Sequence, residues 1–387
     1  MDKITMKELN KIRDKQQRLA LNAWARNKYC GSIIAGTGFG KSRVGVLAIE
    51  YILKDGGNAL VLVPTVQLQD QFRKEFDKWG VDSTDVEIMC YQSAYKFIGN
   101  HYSIVICDEI HLGLSKEYRK FFYNNTYDSL LCMTATLPED PEYKVKLHMF
   151  APTVYEITLD ECVALGIVAP YKINCVPLKL TEAEADEYKK VNNLFVYYKY
   201  KLGQFDAFKE AQRLVADKNA ASEDRASAAQ FYRCIRQRKK IVDFASNKIP
   251  EFKKLVLNNL DKKILAFSGA NDFTDELCES IDPHGTAYHS KKTKKQKENA
   301  LEAFNNGSKT VLCSTKALNQ GFDVPNANMG IICGITSKGL SMIQRVGRLI
   351  RFQKGKIGNI YILYIQGTQE EKWLKNAVKN LDNINWL

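Results

Sequence analysis

The 387-residue chain contains no long hydrophobic run. Its most apolar stretches, such as Ala59–Val63 and Ser103–Cys107, have strand length, far short of the ~20 residues a helix needs to cross a bilayer. That excludes a membrane span. The N-terminus, Met1-Asp2-Lys3-Ile4-Thr5-Met6-Lys7-Glu8, lacks the apolar core of a secretory signal. None of the ten cysteines, scattered from Cys30 to Cys333, forms a Cys-x-x-Cys pair, and the five histidines lack metal-ligand spacing. Neither zinc nor a disulfide framework is indicated. Cys107, Cys132, Cys313 and Cys333 lie in apolar runs, as reduced, buried thiols of a cytoplasmic protein would.

Acidic residues are also short: 44 against 56 basic ones, a net charge of +12. Such an excess favours an anionic partner, most often nucleic acid. The charge is uneven. Residues 1–170 sum to −1, residues 171–260 to +7 and residues 261–387 to +6. Two basic runs stand out: Arg233, Arg236, Arg238, Lys239 and Lys240, then Lys291, Lys292, Lys294, Lys295 and Lys297. A chain that is 45% hydrophobic and 26% charged is globular rather than disordered. At about 100–200 residues per domain it divides into two or three.

Short apolar runs alternate with amphipathic stretches up to about Leu159. The expected strands are Gly31–Ala35, Ala59–Val63, Val86–Cys90, Ser103–Cys107, Leu130–Met133 and Val154–Leu159. Between them, Leu68, Phe72, Phe76 and Trp79 fall on one face of a helix. Alternating strands and helices predict a parallel sheet covered on both faces. From Thr181 to Asn259 the pattern is almost continuous helix, with no proline until Pro250 and a capping-box entry at Thr181-Glu182-Ala183-Glu184. A second alternating set follows: Lys263–Phe267, Thr286–His289, Thr310–Ser314, Gly330–Cys333 and Asn359–Ile365. The fold class is therefore α/β, two lobes with parallel sheets and a mostly helical segment between them. The expected division is 1–165 as the first lobe, 166–258 as a linker strand with the helical insertion, and 259–387 as the second lobe.

Three segments carry chemistry. Ala35-Gly36-Thr37-Gly38-Phe39-Gly40-Lys41-Ser42 follows the first strand and opens a helix. Its glycines let the backbone turn tightly around a phosphate, Lys41 reaches the β and γ phosphates, and Ser42 offers a hydroxyl to Mg²⁺. Asp108-Glu109-Ile110-His111 follows an apolar strand, so its carboxylates face the ligand crevice at the strand's C-terminal end. Asp108 is placed to hold Mg²⁺ and Glu109 to orient and deprotonate an attacking water. Gln344-Arg345-Val346-Gly347-Arg348-Leu349-Ile350-Arg351, in the second lobe, puts Arg348 and Arg351 on one helical face. From there a guanidinium meets a γ-phosphate only when the lobes close.

With these segments in order, the sequence resembles the superfamily 2 DExH-box helicases and translocases, in particular the UvsW-type phage helicases and the XPB-like DNA helicases. Further motifs fit the same family: Val63-Pro64-Thr65 with Leu68 and Gln71, then Tyr91-Gln92-Ser93, Thr134-Ala135-Thr136, Ala266-Phe267-Ser268, and Ser314-Thr315 running through Gly321-Phe322-Asp323-Val324-Pro325. The resemblance implies two RecA-like lobes with ATP and Mg²⁺ bound between them. It gives catalytic roles to Lys41, Asp108, Glu109, Gln344, Arg348 and Arg351. Nucleotide-binding roles go to Gly36, Thr37, Gly38, Gly40, Lys41, Ser42, Gly321 and Asp323, with Ser42 and Asp108 on the metal. His111, Thr134 and Thr136 would couple the nucleotide site to the nucleic-acid face, where Pro64, Thr65, Ser268, Ser314 and Thr315 would touch the strand. An upstream glutamine would read adenine. Gln16 and Gln17 both qualify, and Ala20, Leu21 and Trp24 follow Gln17 at the expected spacing.

The helical segment adds a candidate grip of its own. Arg233, Arg236 and Lys240 share a helical face, and Leu194-Phe195-Val196-Tyr197-Tyr198-Lys199-Tyr200 interleaves aromatics with a base. The competing expectation is that the aromatics pack inward and the charges are merely solvated. The resulting reading is an ATP-dependent DNA helicase or translocase acting on branched or single-stranded DNA. It is expected as a monomer in the cytoplasm (the host's, if phage-encoded), with a protein partner as a source of specificity. The alternatives are an RNA helicase, the motor subunit of a larger nuclease complex, and an ATP-gated clamp that does not unwind. The chain begins shortly before Gln16, so the N-terminal DNA-binding domain of many relatives is expected to be missing, which weighs against strong unwinding.

Overall fold

The computed structural model describes residues 6–36, 38–135, 137–138, 140–168, 170–203, 206–217, 219–315, 327–335, 358–379 and 381–387. The first lobe runs α1 (Met6–Arg26), β1 (Cys30–Ala35), α2 (Lys41–Ile52), β2 (Ala59–Val63), α3 (Val66–Trp79), β3 (Val86–Cys90), α4 (Tyr91–Ala94) and β4 (His101–Asp108). It continues through α5 (Ile110–Gly113), α6 (Lys120–Asn124), β5 (Thr126–Thr134), α7 (Pro141–Phe150), β6 (Thr153–Ile157) and α8 (Leu159–Ala164). Its six strands pair in parallel in the order β3-β2-β4-β5-β1-β6. Strand β2 shows why the apolar runs are continuous. Ala59, Val61 and Val63 enter the core on one face and Leu60 and Leu62 the core on the other. A sheet covered on both faces needs no polar alternation.

The second sheet has the order β13-β7-β12-β11-β8-β10-β9, again parallel throughout. It is built from β7 (Tyr171–Leu178), β8 (Ile264–Phe267), β9 (Gly285–Tyr288), β10 (Val311–Ser314), β11 (Met329–Ile332), β12 (Gly358–Ile365) and β13 (Ile384–Trp386). Strand β7 pairs with β12 along its whole length, so the segment read as a linker strand is part of this sheet. Pro177 sits in it without harm. Ile173 N and Cys175 O bond toward β13, and Pro177, on that same side, lies beyond Cys175, the last residue β13 pairs. The missing N–H therefore faces no partner strand.

The helical segment lies between β7 and β8, flanked on both sides by second-sheet strands. It comprises α9 (Glu182–Lys201), α10 (Ala207–Ala216), α11 (Ser222–Asp243) and α12 (Lys248–Leu257). The capping box forms: Thr181 accepts from Glu184 N, and Glu184 from Thr181 N. One long helix does not, because Gly203 takes a left-handed φ of 93°. Helices α9 to α11 share a small core around Leu202, Ala211, Leu214 and Phe231. Helix α12, with Pro250 in its first turn where its N–H is not needed, instead packs Phe252 and Val256 onto the second sheet. Among the described residues the remaining helices are α13 (Asn271–Ser280), α14 (Lys294–Asn305) and α15 (Gln369–Val378). The lysine run from Lys291 opens α14, where Thr293 and Gln296 form a capping box. Among the described residues no helix is long and apolar enough to cross a membrane.

Candidate nucleotide site and nucleic-acid face

Strand β1 ends at Ala35, and the glycine-rich turn delivers the chain to α2. Gly38 and Gly40 have φ of 90° and 91°, a region that β-carbons disfavour. At Gly40 a β-carbon would also lie 2.4 Å from Gln17 Nε2. Helix α2 begins at Lys41 with no side-chain cap. Its first N–H groups and the positive end of its dipole are therefore left for an anion. Lys41 Nζ donates to Ala35 O at 2.9 Å, spanning the mouth of the loop. Thr37 lies outside the described residues.

Strand β5 lies between β1 and β4, so the loop and the acidic pair end up at the same edge of the sheet, on either side of the end of β5. Asp108 closes β4, and Glu109 follows with φ 50°, a left-handed conformation in a residue other than glycine. Strain of this kind concentrates at functional sites. Thr134 Oγ1, at the end of β5, donates to Glu109 Oε2 at 3.0 Å. His111 Nδ1 lies 3.3 Å from the same oxygen and 3.2 Å from Thr134 Oγ1. Two of the residues expected to couple the two sites, His111 and Thr134, thus already touch the expected base. The Glu109 side chain keeps 19% of its surface exposed, enough to meet water.

The two carboxyls are driven apart. Burial, reinforced by the charge of Glu109 and only partly offset by Lys41, raises Asp108 to about 7. Burial also opposes ionisation of Glu109, but bonding to His111, the charges of Lys41 and His111 and the Thr134 hydroxyl together hold it below the usual glutamate range. Neighbouring groups pushed in opposite directions are what an acid–base site requires. The Asp108 carboxylate and the Ser42 hydroxyl are hard oxygen donors of the kind that Mg²⁺ takes, a protein carboxylate and hydroxyl completed by phosphates and water.

Gln17 is buried, with 1% exposure. Its Nε2 donates to Phe39 O at 2.8 Å and Gly40 O at 3.3 Å, and its Oε1 accepts from Arg43 at 2.6 Å. Gln16 accepts from the Tyr155 hydroxyl at 2.8 Å. Of the expected strand-contacting residues, Pro64 and Thr65 stand between β2 and α3, where Gln92 donates to Pro64 O at 3.3 Å. Ser268 and Ser314 are buried and bonded within the lobe, Ser268 to Ala270 O and Thr274, Ser314 to Tyr288 O. Thr315 bonds Asn271 at 3.1 Å. Arg233, Arg236 and Lys240 are exposed on α11. The aromatics of α9 divide: Phe195 and Tyr198 pack inward, while Tyr197 and Tyr200 are exposed. Thr136, Gly321, Asp323, Gln344, Arg348 and Arg351 lie outside the described residues.

Two site residues escaped the sequence reading. Tyr91 belongs to the Tyr91-Gln92-Ser93 motif, and its buried hydroxyl donates to Asp108 O at 2.8 Å and so steadies the acidic turn. Asp14, on α1, pairs with Arg43 at 2.7 Å. No local signal marks it, because its partner is 29 residues away.

Residues 9–139 match the family described as type III restriction enzyme, res subunit, and residues 247–353 the helicase conserved C-terminal domain. The chain is 27% identical to the DNA 3'-5' translocase XPB2 of Sulfurisphaera tokodaii, over 94% of this chain and 84% of that protein. Its fold is similar to the Pyrococcus furiosus Hef helicase domain, with TM-score 0.58 and 15% identity over 96% of this chain and 99% of that one. It is also similar to Saccharomyces cerevisiae Dbp5 bound to RNA and ADP BeF3, with TM-score 0.60 and 14% identity over 96% and 89%.

Proposed function

We infer that this chain, which belongs to the superfamily 2 helicases, is an ATP-driven motor whose track is DNA. The observation that carries the reading is Glu109, held by Thr134 and His111 beside the Lys41 loop. The 27% identity with a DNA translocase, across most of both chains, favours DNA over RNA.

In this reading the α2 N-terminus and Lys41 bind the phosphates of ATP. Ser42 and Asp108 hold Mg²⁺, which would neutralise phosphate charge. Glu109 orients the attacking water and accepts its proton, and His111 and Thr134 keep the carboxylate aimed. Gln17, with both ends of its amide bonded within the protein, props the phosphate loop rather than reading adenine directly. Gln344, Arg348 and Arg351, with Gly321 and Asp323, complete the site from the second lobe when the cleft closes. Pro64, Thr65 and Thr315 meet the strand, with Ser268 and Ser314 shaping the loops beneath it. Alternating closure and release then shifts one grip relative to the other.

The test is steady-state ATP hydrolysis with single-stranded DNA, branched DNA or RNA, taking Lys41→Ala as the blank. DNA is expected to stimulate turnover strongly and Lys41→Ala to abolish it. Stimulation by RNA alone would overturn the track assignment. Activity indifferent to all three would replace the motor by a clamp or a subunit lacking its partner.

The exposed face of α11 extends the grip. Reversing Arg233, Arg236 and Lys240 to glutamate should weaken single-strand binding and lower the slope of log affinity against log salt by about 2, at ~0.7 per lost phosphate contact. Binding isotherms at several salt concentrations measure it. An unchanged slope would return these residues to solvated surface.

A further inference from the structure

We propose that Arg43 is a positioning residue that ties the phosphate loop to helix α3 through the ring of Trp79. The inference rests on the ATP-site reading above. Arg43 follows Ser42 on the first turn of α2, yet its guanidinium is occupied away from the phosphates. One amino group donates to Gln17 Oε1 at 2.6 Å and the other to Asp14 Oδ1 at 2.7 Å. Its central carbon lies 4.2 Å from the centre of the Trp79 ring. Two in-plane bonds and a stacked face fix the plane of the group, something a lysine could not do.

That plane decides how Gln17 points. With Oε1 committed to the guanidinium, Nε2 must face the carbonyls of Phe39 and Gly40. The flipped amide would set oxygen against two carbonyls and N–H₂ against a cation, which is repulsive at both ends. The contact has no slack, because a β-carbon at Gly40 would already collide with Nε2. Arg43 therefore sets the height of the phosphate loop through Gln17.

Trp79 is the last residue of α3, and Thr65 is the N-cap of the same helix. The 14 residues of α3 span roughly 20 Å at ~1.5 Å each. Phe72 and Phe76 anchor its inner face, and Phe72 packs against Gly45 of α2 closely enough that a β-carbon there would lie 3.0 Å from the ring. Helix α3 is thus a stiff lever with a proposed strand contact at one end and the stacking partner of Arg43 at the other. Movement at Thr65 reaches the phosphate loop by a route separate from Glu109, Thr134 and His111.

The experiment is ATP hydrolysis with ATP varied, with and without single-stranded DNA, for the wild type and for Arg43→Gln, Arg43→Lys, Trp79→Leu and Trp79→Phe. Thermal melting checks folding. Arg43→Gln should raise KM for ATP about tenfold, the equivalent of one charge-assisted hydrogen bond, with kcat within about twofold. Arg43→Lys should show the same KM increase in smaller measure. Trp79→Leu should erase the effect of DNA on KM, and Trp79→Phe, which keeps a ring, should restore it. An unchanged KM in folded Arg43→Gln and Arg43→Lys overturns the positioning role. A wild-type DNA response in Trp79→Leu overturns the lever. A wild type that hydrolyses no ATP overturns both this inference and the motor reading beneath it.

Discussion

Glu109→Gln should lower ATP turnover by about 10²–10⁴-fold, the usual contribution of a positioned general base, while nucleotide binding stays near the wild-type level. Glutamine matches glutamate in shape, tolerates the φ of 50° no worse, and can still accept the Thr134 hydroxyl through its amide oxygen. What it loses is the charge that bonding to His111 and the charge of Lys41 keep in place against burial. The variant therefore isolates proton acceptance from geometry. Asp108 is not free to substitute, since its proposed task is to hold the metal. Single-turnover hydrolysis, read beside the affinity of a fluorescent nucleotide, measures the two halves separately. Full turnover in the variant would move the proton to another group.

The second large effect concerns stability. Lys248→Met should destabilise the second lobe by about 3–5 kcal/mol, the cost of stranding one partner of a buried ion pair. Lys248 and Glu370 are both fully buried, 2.8 Å apart. Lys248 Nζ also donates to Cys333 O at 2.9 Å. Glu370 accepts from Ile335 N at 3.3 Å and Ile365 N at 2.9 Å, tying together the chain ends that leave β11 and β12. Burial already raises the Glu370 carboxyl, and Lys248 restrains that rise. Without the lysine the rise grows. A carboxyl raised above its unfolded value stabilises the fold relative to neutral pH only while protonated. The variant should therefore be most stable below the ordinary glutamate range and lose stability as pH climbs through the raised value. Adding Glu370→Gln, which removes the stranded charge, should recover part of the loss. Hydrogen exchange at β11 and β12 across pH reads both effects. A loss under about 1 kcal/mol, as for an exposed pair, would mean that water reaches Glu370.

The contrast between these sites shows what a sequence can reveal. Ala59–Val63 was legible to the residue, since a fully buried apolar run between polar flanks leaves little room for another register, and Val86–Cys90 was legible from its buried Ile88, Met89 and Cys90 despite the exposed Glu87. The phosphate loop and Asp108-Glu109 were legible because their chemistry is local: a turn, a strand end, a helix start. Strand β7 was blurred by Lys172, Asn174 and Pro177, whose tolerance depends on where β13 stops. The pairing of Lys248 with Glu370 was invisible. Each reads as ordinary surface charge, and their separation of 122 positions is bridged only by the folded sheet. Arg43 fell between the two cases, adjacent to a motif but bonded to residues on other helices.

The placement of the helical segment has one more consequence. Where the chain enters and leaves it, Asn247 donates to Lys179 O at 2.8 Å, and Glu184 accepts from Ser246 at 2.9 Å. Helices α9 to α11 thus form a closed excursion, pinched at its neck, from a lobe whose sheet is threaded without them. Such a module can be enlarged, exchanged or deleted without rewiring a single strand.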